Sequence, residues 1–278
     1  YNIYMILTDI HTHSTFSADA DSPLAEMVAA ARAMGVRYFG IAEHFDYDYP
    51  PAGLTYSDGA PAHTDEQAYF TAARAIQAQS DANFVFLAGC ELGYTDDPAS
   101  LIRYMELIEK YSPDFVANSV HTCDGADCWY GEYFSGKSKE KAYSRYLRRV
   151  LQSLLAPYHY DIVAHIGYVS RNAPYPDPKL RYADFKELYD EILKNIIANG
   201  KILEVNSSAR GAGSAFLPDC DVLERYFELG GRKVSFASDA HYAARICDGR
   251  EAVVAALKRI GFTAITVPFR GEEIEVEI

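Results

Sequence analysis

The amino-acid sequence predicts an α/β barrel of seven parallel strands, with a helix following each strand. Seven short apolar runs, rich in β-branched and aromatic residues, alternate with seven longer amphipathic segments. This alternation is typical of parallel sheets covered by helices. The 278 residues, 49% of them apolar, suit one barrel or two smaller domains. Because no Pro/Gly/Ser-rich linker divides the chain, we expect a single domain over residues 1–278.

The strand predictions rest on near-continuous apolar runs, which are typical of strands buried on both faces. In chain order they are Tyr4–Asp9, Arg37–Ala42, Phe84–Gly89, Phe115–Asn118, Ile162–Ala164, Ile202–Val205 and Lys233–Ala237. Helices are predicted over Leu24–Met34, Asp65–Ser80, Ala99–Tyr111, Lys139–Ala156, Tyr182–Asn199, Asp219–Leu229 and Asp248–Ile260. A late strand over Thr263–Val267 and a C-terminal tail complete the prediction.

Boundary residues support several of these helices. Ser22 followed by Pro23 suits an N-cap and a first helical position. Gly35, Gly200 and Gly230 stand where helices are expected to stop, since glycine adopts the left-handed backbone that commonly ends a helix.

Composition and charge exclude several classes of function. The formal net charge is −13, whereas a protein that coats long nucleic acid needs clustered Lys and Arg. No apolar stretch reaches the roughly 18 residues of a membrane-spanning helix, and the first ten residues lack the features of a signal peptide. The five cysteines form an odd set without a CxxC pair, which favours reduced thiols. We therefore expect a cytoplasmic protein that binds neither membranes nor long nucleic acid.

His, Asp and Glu side chains follow six of the seven predicted strands, at the point where each strand ends. These residues are Asp9, His11, His13, Glu43, His44, Glu91, His121, His165, Asp239 and His241. In a closed parallel barrel the carboxyl ends of the strands meet on one face, where catalytic groups lie. Because imidazole nitrogens and carboxylate oxygens bind Zn, Mn and Fe, the pattern predicts a cluster of divalent metal ions on this face.

Single positions carry weaker arguments than the set. A lone His after a strand is more often a hydrogen-bonded loop residue than a ligand. His11 and His13 are stronger candidates, because alternate side chains of an extended strand point the same way and can bind one ion together. Asp19 and Asp21 lie in one polar turn and compete as candidate ligands.

Three other residues with metal-binding or reactive side chains are predicted to have no catalytic role. His63 and His159 are expected to be solvated, since the first lies in a Pro/Gly-rich loop and the second at a helix end. Cys90 precedes Glu91 on a strand, and neighbouring residues of a strand face opposite ways. We expect Cys90 to be a buried structural thiol.

Seven short motifs follow the predicted strands in the order DIHTHSTFSADA, AEH, GCE, NSVH, AHIGYVSR, EVNSSAR and SFASDAH. Together they resemble the PHP (polymerase and histidinol phosphatase) superfamily, over essentially the whole chain. Within that superfamily, Ser119–Gly125 and Tyr133–Tyr146 are similar to the monofunctional histidinol-phosphate phosphatases of the histidine pathway. The resemblance implies a distorted seven-stranded (β/α) barrel, similar to a TIM barrel, with a site for three divalent metal ions.

The resemblance also implies which side chains bind each ion. The expected ligands are His11, His13, Glu91 and Asp239 for the first ion; Glu91, His121 and His165 for the second; and Asp19, His44 and His241 for the third. Asp19 is favoured over Asp21, because the family has a ligand six residues after the second His of its first motif. The ions are expected to be Mn, Fe or Zn.

The activity implied by the resemblance is hydrolysis of a phosphomonoester, L-histidinol phosphate, in histidine biosynthesis. Glu91, Asp239 and His241 are the expected catalytic residues. A hydroxide that bridges metal ions is expected to attack phosphorus, without a covalent phosphoenzyme.

Two arginines and two aromatic residues are candidates for binding the substrate. Arg171 and Arg210 follow the fifth and sixth predicted strands, and the planar fork of arginine suits phosphate. The resembling phosphatases have basic residues near these positions. A loop arginine paired with a surface acid is an equally good interpretation of each one alone. Trp129 and Tyr130 are candidates for a wall around the organic end of the substrate.

A count of charges supports a phosphate substrate. Three divalent ions, the carboxylates of Asp19, Glu91 and Asp239, and one hydroxide leave a net charge of about +2 if the His ligands are neutral. A phosphomonoester carries roughly 1.5 to 2 negative charges near neutral pH. The predicted site is therefore matched to a terminal phosphate within an acidic protein.

Two alternatives remain open at this point. Another phosphoesterase of the superfamily, acting on nucleotides or oligonucleotide ends, would use the same cluster. Gly167, where related phosphatases often have an acidic residue, and the loop SSARGAG leave the organic end of the substrate undetermined. A non-catalytic metal-binding module would lack a ligand, whereas all nine predicted positions are filled.

Overall fold

A computed structural model describes residues 7–49 and 64–278, and its central feature is a sheet of seven parallel strands. The seven strands of this sheet are β1 (Leu7–Asp9), β2 (Val36–His44), β3 (Val85–Gly93), β4 (Val116–Ser119), β7 (Ile162–Val163), β8 (Ile202–Asn206) and β9 (Val234–Ala237). Two separate hairpins are formed by β5 (Thr122–Cys123) with β6 (Ala126–Asp127), and by β10 (Ala264–Phe269) with β11 (Glu272–Glu277). The large sheet has the order β1-β2-β3-β4-β7-β8-β9. A bridge between Thr12 and Ala240 nearly closes it into a barrel, so the predicted fold class is confirmed.

Helices cover the outside of the sheet and follow one another along the chain in the predicted order. They are α1 (Leu24–Ala33), α2 (Glu66–Gln77), α3 (Pro98–Tyr111), α4 (Gly131–Phe134), α5 (Lys139–Ser153), α6 (Lys186–Ala198), α7 (Cys220–Glu228) and α8 (Arg250–Ile260). All seven predicted helices are present, and the short α4 is an addition. Within the described part of the chain, no helix has the length and apolarity needed to cross a membrane.

The structure corrects one helix boundary and confirms three others. Ser22 is not the N-cap of α1, because Pro23 occupies that position and the Ser22 hydroxyl donates to Glu26 Oε1 at 2.9 Å. Gly35, Gly200 and Gly230 do end their helices, with φ values of 74°, 65° and 96°.

The central strands extend further at their carboxyl ends than predicted. β2 reaches His44 and β3 reaches Gly93, whereas the predicted strands ended at Ala42 and Gly89. Glu43 and Glu91 are both fully buried, Glu91 inside the barrel mouth and Glu43 on the opposite face of the sheet, in the layer that contains Phe39 and Ile41. Residues Tyr4–Ile6 of the first predicted strand lie outside the described residues.

The interior of the barrel is filled by apolar side chains below the polar mouth. Phe115 points across the interior, and a Cβ added at Gly89 would lie 2.2 Å from its ring. Leu87, Ala117 and Ile162 belong to the same buried cluster. Because residues of a strand alternate between faces, the register that directs Leu87 inward also directs Glu91 inward, four residues later.

The C-terminal residues form a hairpin and not the predicted tail. β10 and β11 pair in antiparallel fashion from Ala264–Glu277 to Phe269–Glu272. Val267 and Val276 of this hairpin pack in the same cluster as Ile162. The prediction missed β11 because four glutamates dominate its sequence, although Ile274 and Val276 alternate with them and form an apolar face.

Candidate metal and phosphate site

The candidate site lies in a cavity of about 360 Å³ at the mouth of the barrel, where the carboxyl ends of the strands meet. Six predicted ligands line this cavity: Asp19, His44, His121, His165, Asp239 and His241. The other three, His11, His13 and Glu91, lie beneath it and are fully buried. The structure therefore brings all nine predicted ligands together.

Glu91, near the end of β3, is the centre of the cluster. Its Oε1 lies 2.7 Å from His165 Nε2 and 3.2 Å from His121 Nε2. Its Oε2 lies 2.8 Å from His44 Nδ1 and 3.3 Å from His11 Nε2. Burial opposes the charged form, but His11, His44 and His121 hold the pKa of Glu91 well below its usual range. The carboxylate thus faces imidazoles that follow four different strands.

The seam between β1 and β9 positions the His-x-His motif. Asp239 N donates to His11 O at 2.9 Å, and His13 N donates to Ala240 O at 2.8 Å. Asp239 itself has a φ of 52°, and His165 across the mouth has a φ of 25°. Left-handed backbone is unfavourable for these residues, and two of the predicted ligands are held in it by the surrounding structure.

The predicted residues form three groups, and within each group the potential ligand atoms all lie within 4.8 Å of one another. They are His11, His13 and Asp239; His11, Glu91 and His165; and His13, His44 and His241. Asp19 joins the third group, since its Oδ2 lies 3.2 Å from His241 Nε2 and 3.5 Å from His44 Nε2. Asp21 is exposed and does not line the cavity.

The chemistry of the buried atoms fits divalent metal ions. His11 Nε2, His13 Nε2 and Glu91 Oε2 are buried and have no hydrogen-bond partner among the described residues. Buried polar atoms are normally paired, and these three atoms all offer lone pairs to one small region. Burial together with nearby His44 and His241 lowers the pKa of His13 to about 3, so its imidazole is neutral, as a metal ligand requires. The cluster is a site for divalent metal.

Glu204, on β8, is a site residue that the sequence analysis missed. Its Oε2 accepts a hydrogen bond from His11 Nδ1 at 2.6 Å, and its Oε1 accepts from His165 N at 3.0 Å and Asn206 Nδ2 at 2.9 Å. With the Nδ1 proton of His11 held by a carboxylate, the Nε2 lone pair is directed at the cluster. Glu204 could have been predicted from the alternation of side chains along β8, because it shares a face with Asn206 at the end of the strand.

Asp46, just beyond β2, is a second residue that was missed. Its Oδ2 lies 2.8 Å from His121 Nδ1, and its Oδ1 accepts from Gly93 N at 2.7 Å. A Cβ at Gly93 would lie 2.2 Å from Asp46 Oδ1, so this approach requires glycine. Asp46 is also close enough to His44 and His121 to be a ligand itself, but its hydrogen bonds favour a role in orienting His121.

The two predicted phosphate-binding arginines lie in different surroundings. Arg171 is buried at the cavity wall, and its Nη2 donates to Asp239 Oδ2 at 2.8 Å and to Asn206 Oδ1 at 3.1 Å. Its Nε is buried with no hydrogen-bond partner among the described residues. Arg210 is exposed and does not line the cavity.

Aromatic side chains and one carboxylate form a further part of the cavity wall, where the Tyr168 ring centroid lies 5.3 Å from Arg171 Cζ. Trp129, Tyr130 and Tyr168 line the cavity there together with Asp127 at the end of β6. Asp127 is 4% exposed, and it accepts hydrogen bonds from Trp129 N at 2.7 Å, Tyr49 OH at 3.0 Å and Tyr168 OH at 3.2 Å. Within the described residues no lysine or arginine forms an ion pair with it. This wall therefore combines ring faces with a buried negative charge.

Of the three residues expected to lie away from the chemistry, two can be compared with the structure. His159 is exposed and lies 3.1 Å from Asp161, and Cys90 is buried in the layer outside the barrel. His63 lies outside the described residues. Gly167 has a φ of 124°, and a Cβ there would lie 2.9 Å from Leu217, which explains why an acidic residue is absent at this position.

Comparison with known sequences agrees with the motifs. The PHP domain family description matches residues 9–208. The probable histidinol-phosphatase of Clostridium acetobutylicum is 28% identical over 234 residues, which cover 84% of this chain and 86% of that protein. The histidinol-phosphatase of Lactococcus lactis subsp. lactis is 28% identical over 268 residues, which cover 96% of each.

Comparison with solved structures agrees with the fold. The crystal structure of histidinol phosphate phosphatase from Lactococcus lactis, in complex with Zn, L-histidinol and phosphate, has a TM-score of 0.82 and 26% identity. The match covers 96% of this chain and 98% of that one. A structure from Listeria monocytogenes shares the fold, with a TM-score of 0.74 and 20% identity.

The role of Glu204 can be tested with Glu204→Gln. An amide at this position places an NH₂ group against one of the three groups that donate to Glu204. If that group is His11 Nδ1, the nitrogen must become an acceptor, and the imidazole proton moves to Nε2. We expect metal affinity to fall by about 10- to 100-fold, as measured by competition with a chromophoric chelator. Glu251→Gln, on the exposed face of α8, is the matched control. Equal affinity in the two variants would contradict this role.

Proposed function

This chain belongs to the PHP domain family, and we propose that it is a metal-dependent phosphomonoesterase that hydrolyses L-histidinol phosphate to L-histidinol and phosphate in histidine biosynthesis. The observation that carries this proposal is the set of side chains that line one cavity. A cluster of metal-ligand atoms and Arg171 share this cavity with Asp127 and its aromatic neighbours. The cavity thus offers partners both for the phosphate and for the cationic group of an amino-alcohol phosphate.

The proposed cofactor is a set of three divalent ions, Mn, Fe or Zn. The residues proposed to hold them are His11, His13, Asp19, His44, Glu91, His121, His165, Asp239 and His241. When bound, such ions act as Lewis acids that lower the pKa of water and neutralise charge on a phosphoryl group. The proposed unit is one domain over the whole chain, and the proposed partner is a small phosphorylated molecule, not a long nucleic acid.

Protein groups at the cavity wall are proposed to orient the phosphate. Arg171 lines the cavity, and its Nη2 is already engaged by Asp239 and Asn206. The guanidinium is therefore fixed before the substrate arrives, which reduces the entropy lost on binding. Arg210 is exposed, so we propose that it acts from the rim of the cavity, with a smaller effect.

Glu91, Asp239 and His241 are the proposed catalytic residues. Each is proposed to act by keeping a defined charge next to the site where the phosphate binds. Glu91 contributes a carboxylate that stays ionised although it is fully buried. Asp239 connects the cluster to Arg171 through its Oδ2. His241 Nδ1 lies 3.0 Å from Asp239 O, which directs Nε2 toward Asp19 and fixes the ring at the cavity wall.

Asp127 is proposed to bind the positively charged amino end of the substrate. Its carboxylate is buried, and three O–H and N–H donors hold it in place. An uncompensated buried carboxylate is costly, and an ammonium or imidazolium group would relieve that cost. The faces of Trp129 and Tyr168 beside it would also attract a cation.

The proposed activity is tested by phosphate release from a panel of substrates. We expect L-histidinol phosphate to be hydrolysed at least about 100-fold more efficiently than 3′,5′-diphosphonucleosides, because only the former has a cationic end for Asp127. Activity should depend on added Mn or Zn and disappear with a chelator. The reverse order of substrates would favour the alternative, a phosphoesterase of the same family that acts on nucleotides.

The two arginines are expected to differ in effect. Arg171→Ala should lower kcat/KM by roughly 100-fold, mainly through KM, since charge-assisted hydrogen bonds to phosphate contribute about 1.5–3 kcal/mol. Arg210→Ala should lower it by roughly 10-fold or less. Elemental analysis of both variants is the control. Loss of metal from the Arg171→Ala variant would instead assign this residue to holding Asp239.

The role of Asp127 is tested with Asp127→Asn. We expect KM for L-histidinol phosphate to rise by roughly 10- to 100-fold, while hydrolysis of p-nitrophenyl phosphate, which has no cationic end, stays within about twofold. Asp124→Asn is the matched control, since Asp124 lies in the same hairpin but pairs with Arg145 at the surface. An equal loss on both substrates would show that Asp127 does not select the organic end.

A further inference from the structure

Glu43 is a fully buried carboxylate on the outer face of β2. It follows the alternation of Phe39 and Ile41, which lie in the apolar layer between the sheet and the helices. His44, the next residue, is paired in register with Glu91 and faces the site. Within residues 7–49 and 64–278, no lysine or arginine forms an ion pair with Glu43. A carboxylate in such a layer costs stability unless hydrogen bonds satisfy it.

Among the described residues, the hydrogen bonds to the Glu43 side chain come from one short loop. Ser14 N donates to its two oxygens at 3.1 and 3.2 Å, and the Ser14 hydroxyl donates to Oε1. The Ser17 hydroxyl donates to Oε2 at 2.5 Å and accepts from His44 N at 3.0 Å. Glu43 and the main chain of β2 therefore hold both ends of the segment from Ser14 to Ser17.

This loop carries Asp19, the one predicted ligand that no strand supplies. The Asp19 side chain is 44% exposed, and its Oδ2 lies 3.2 Å from His241 Nε2. Ala20 N donates to Ser17 O at 3.2 Å, and Asp21 N donates to His241 O at 2.8 Å. The main chain on either side of Asp19 is thus fixed at Ser17 and at His241.

We propose that Glu43 is a positioning residue for the metal ion bound by Asp19, His44 and His241. Its carboxylate fixes the loop from Ser14 to Ser17, and the loop sets Asp19 at the cluster. This inference rests on the proposed three-ion site and extends it to a residue that touches neither metal nor substrate. The other ligands lie at the ends of barrel strands, and Glu204 and Asp46 orient two of them, so we expect their positions to depend less on Glu43 than that of Asp19 does.

The inference predicts a selective loss of one ion. In Glu43→Gln, an NH₂ group replaces one carboxylate oxygen. The amide therefore loses one acceptor, and the hydroxyls of Ser14 and Ser17 can no longer each donate to their own oxygen. Ser17→Ala removes the hydroxyl that connects the loop to Glu43 and His44 N. In both variants we expect one of three ions to bind about tenfold more weakly, and raised metal concentration to restore occupancy and activity together.

The measurement is metal content per chain, by elemental analysis after dialysis against a series of buffered free Zn²⁺ concentrations. Thermal unfolding of the metal-free proteins is recorded in parallel. Asp114→Asn is the matched control, because Asp114 is also a buried carboxylate but lies at the other end of the barrel, where Arg74 and Ala88 N bind it. This control should unfold at a lower temperature and keep wild-type metal binding.

Wild-type occupancy of all three ions in folded Glu43→Gln and Ser17→Ala would overturn the inference, as would equal weakening of all three ions. Should Glu43→Gln fail to fold, Ser17→Ala decides. A wild-type chain that binds fewer than three ions would overturn both the proposed cofactor and the inference. A wild-type chain that binds three ions without releasing phosphate from L-histidinol phosphate would overturn the proposed activity alone, since metal content still tests Glu43.

Discussion

The site depends on one buried negative charge, the carboxylate of Glu91. It is fully buried above the apolar filling of the barrel, in contact with imidazoles that follow four strands. An isolated carboxylate in such surroundings would be strongly destabilising. The arrangement becomes favourable only when positive charge lies among the imidazoles. The same geometry that makes the metal-free cluster electrostatically costly therefore makes it a strong binding site for divalent ions, and metal binding adds to the stability of the fold.

The structure also changes the charge that the phosphate would meet. A count restricted to the three ligand carboxylates and a hydroxide gave about +2 for a three-ion cluster. Glu204 and Asp46 contact ligand imidazoles and add two negative charges, while Arg171 adds one positive charge next to Asp239. The corrected value is about +1. The match to phosphate therefore depends on direction more than on total charge, because the added carboxylates lie behind the imidazoles and Arg171 lies at the cavity wall.

The order of elements and the candidate residues at the strand ends could be obtained from the sequence because both follow from local pattern, whereas Asp19 was favoured only by the resemblance to the PHP superfamily. Apolar runs mark buried strands, and a polar residue directly after such a run must lie at the barrel mouth. Glu204 and Asp46 could not be found by that rule. Glu204 stands inside its strand, where only the period of two reveals its direction, and Asp46 reaches His121 across a distance in sequence of 75 residues. The close approach of Asp46 to Gly93 depends on pairing between β2 and β3, which no local pattern contains.

Asp19 shows a different limit of prediction from sequence. The polar turn around it contains two acidic residues, Asp19 and Asp21, and the local sequence does not distinguish between them as ligands. The choice between them is made by hydrogen bonds from elsewhere: Ser17 is held by Glu43 and His44 N, and Asp21 N is held by His241 O. Those bonds turn Asp19 toward the cavity and leave Asp21 exposed. Ligands on strands have positions set by the sheet, whereas a ligand on a loop loses conformational entropy on binding unless other contacts hold it beforehand. A buried carboxylate in an apolar layer is costly, and at Glu43 that cost is offset by the hydrogen bonds that also order the loop carrying Asp19.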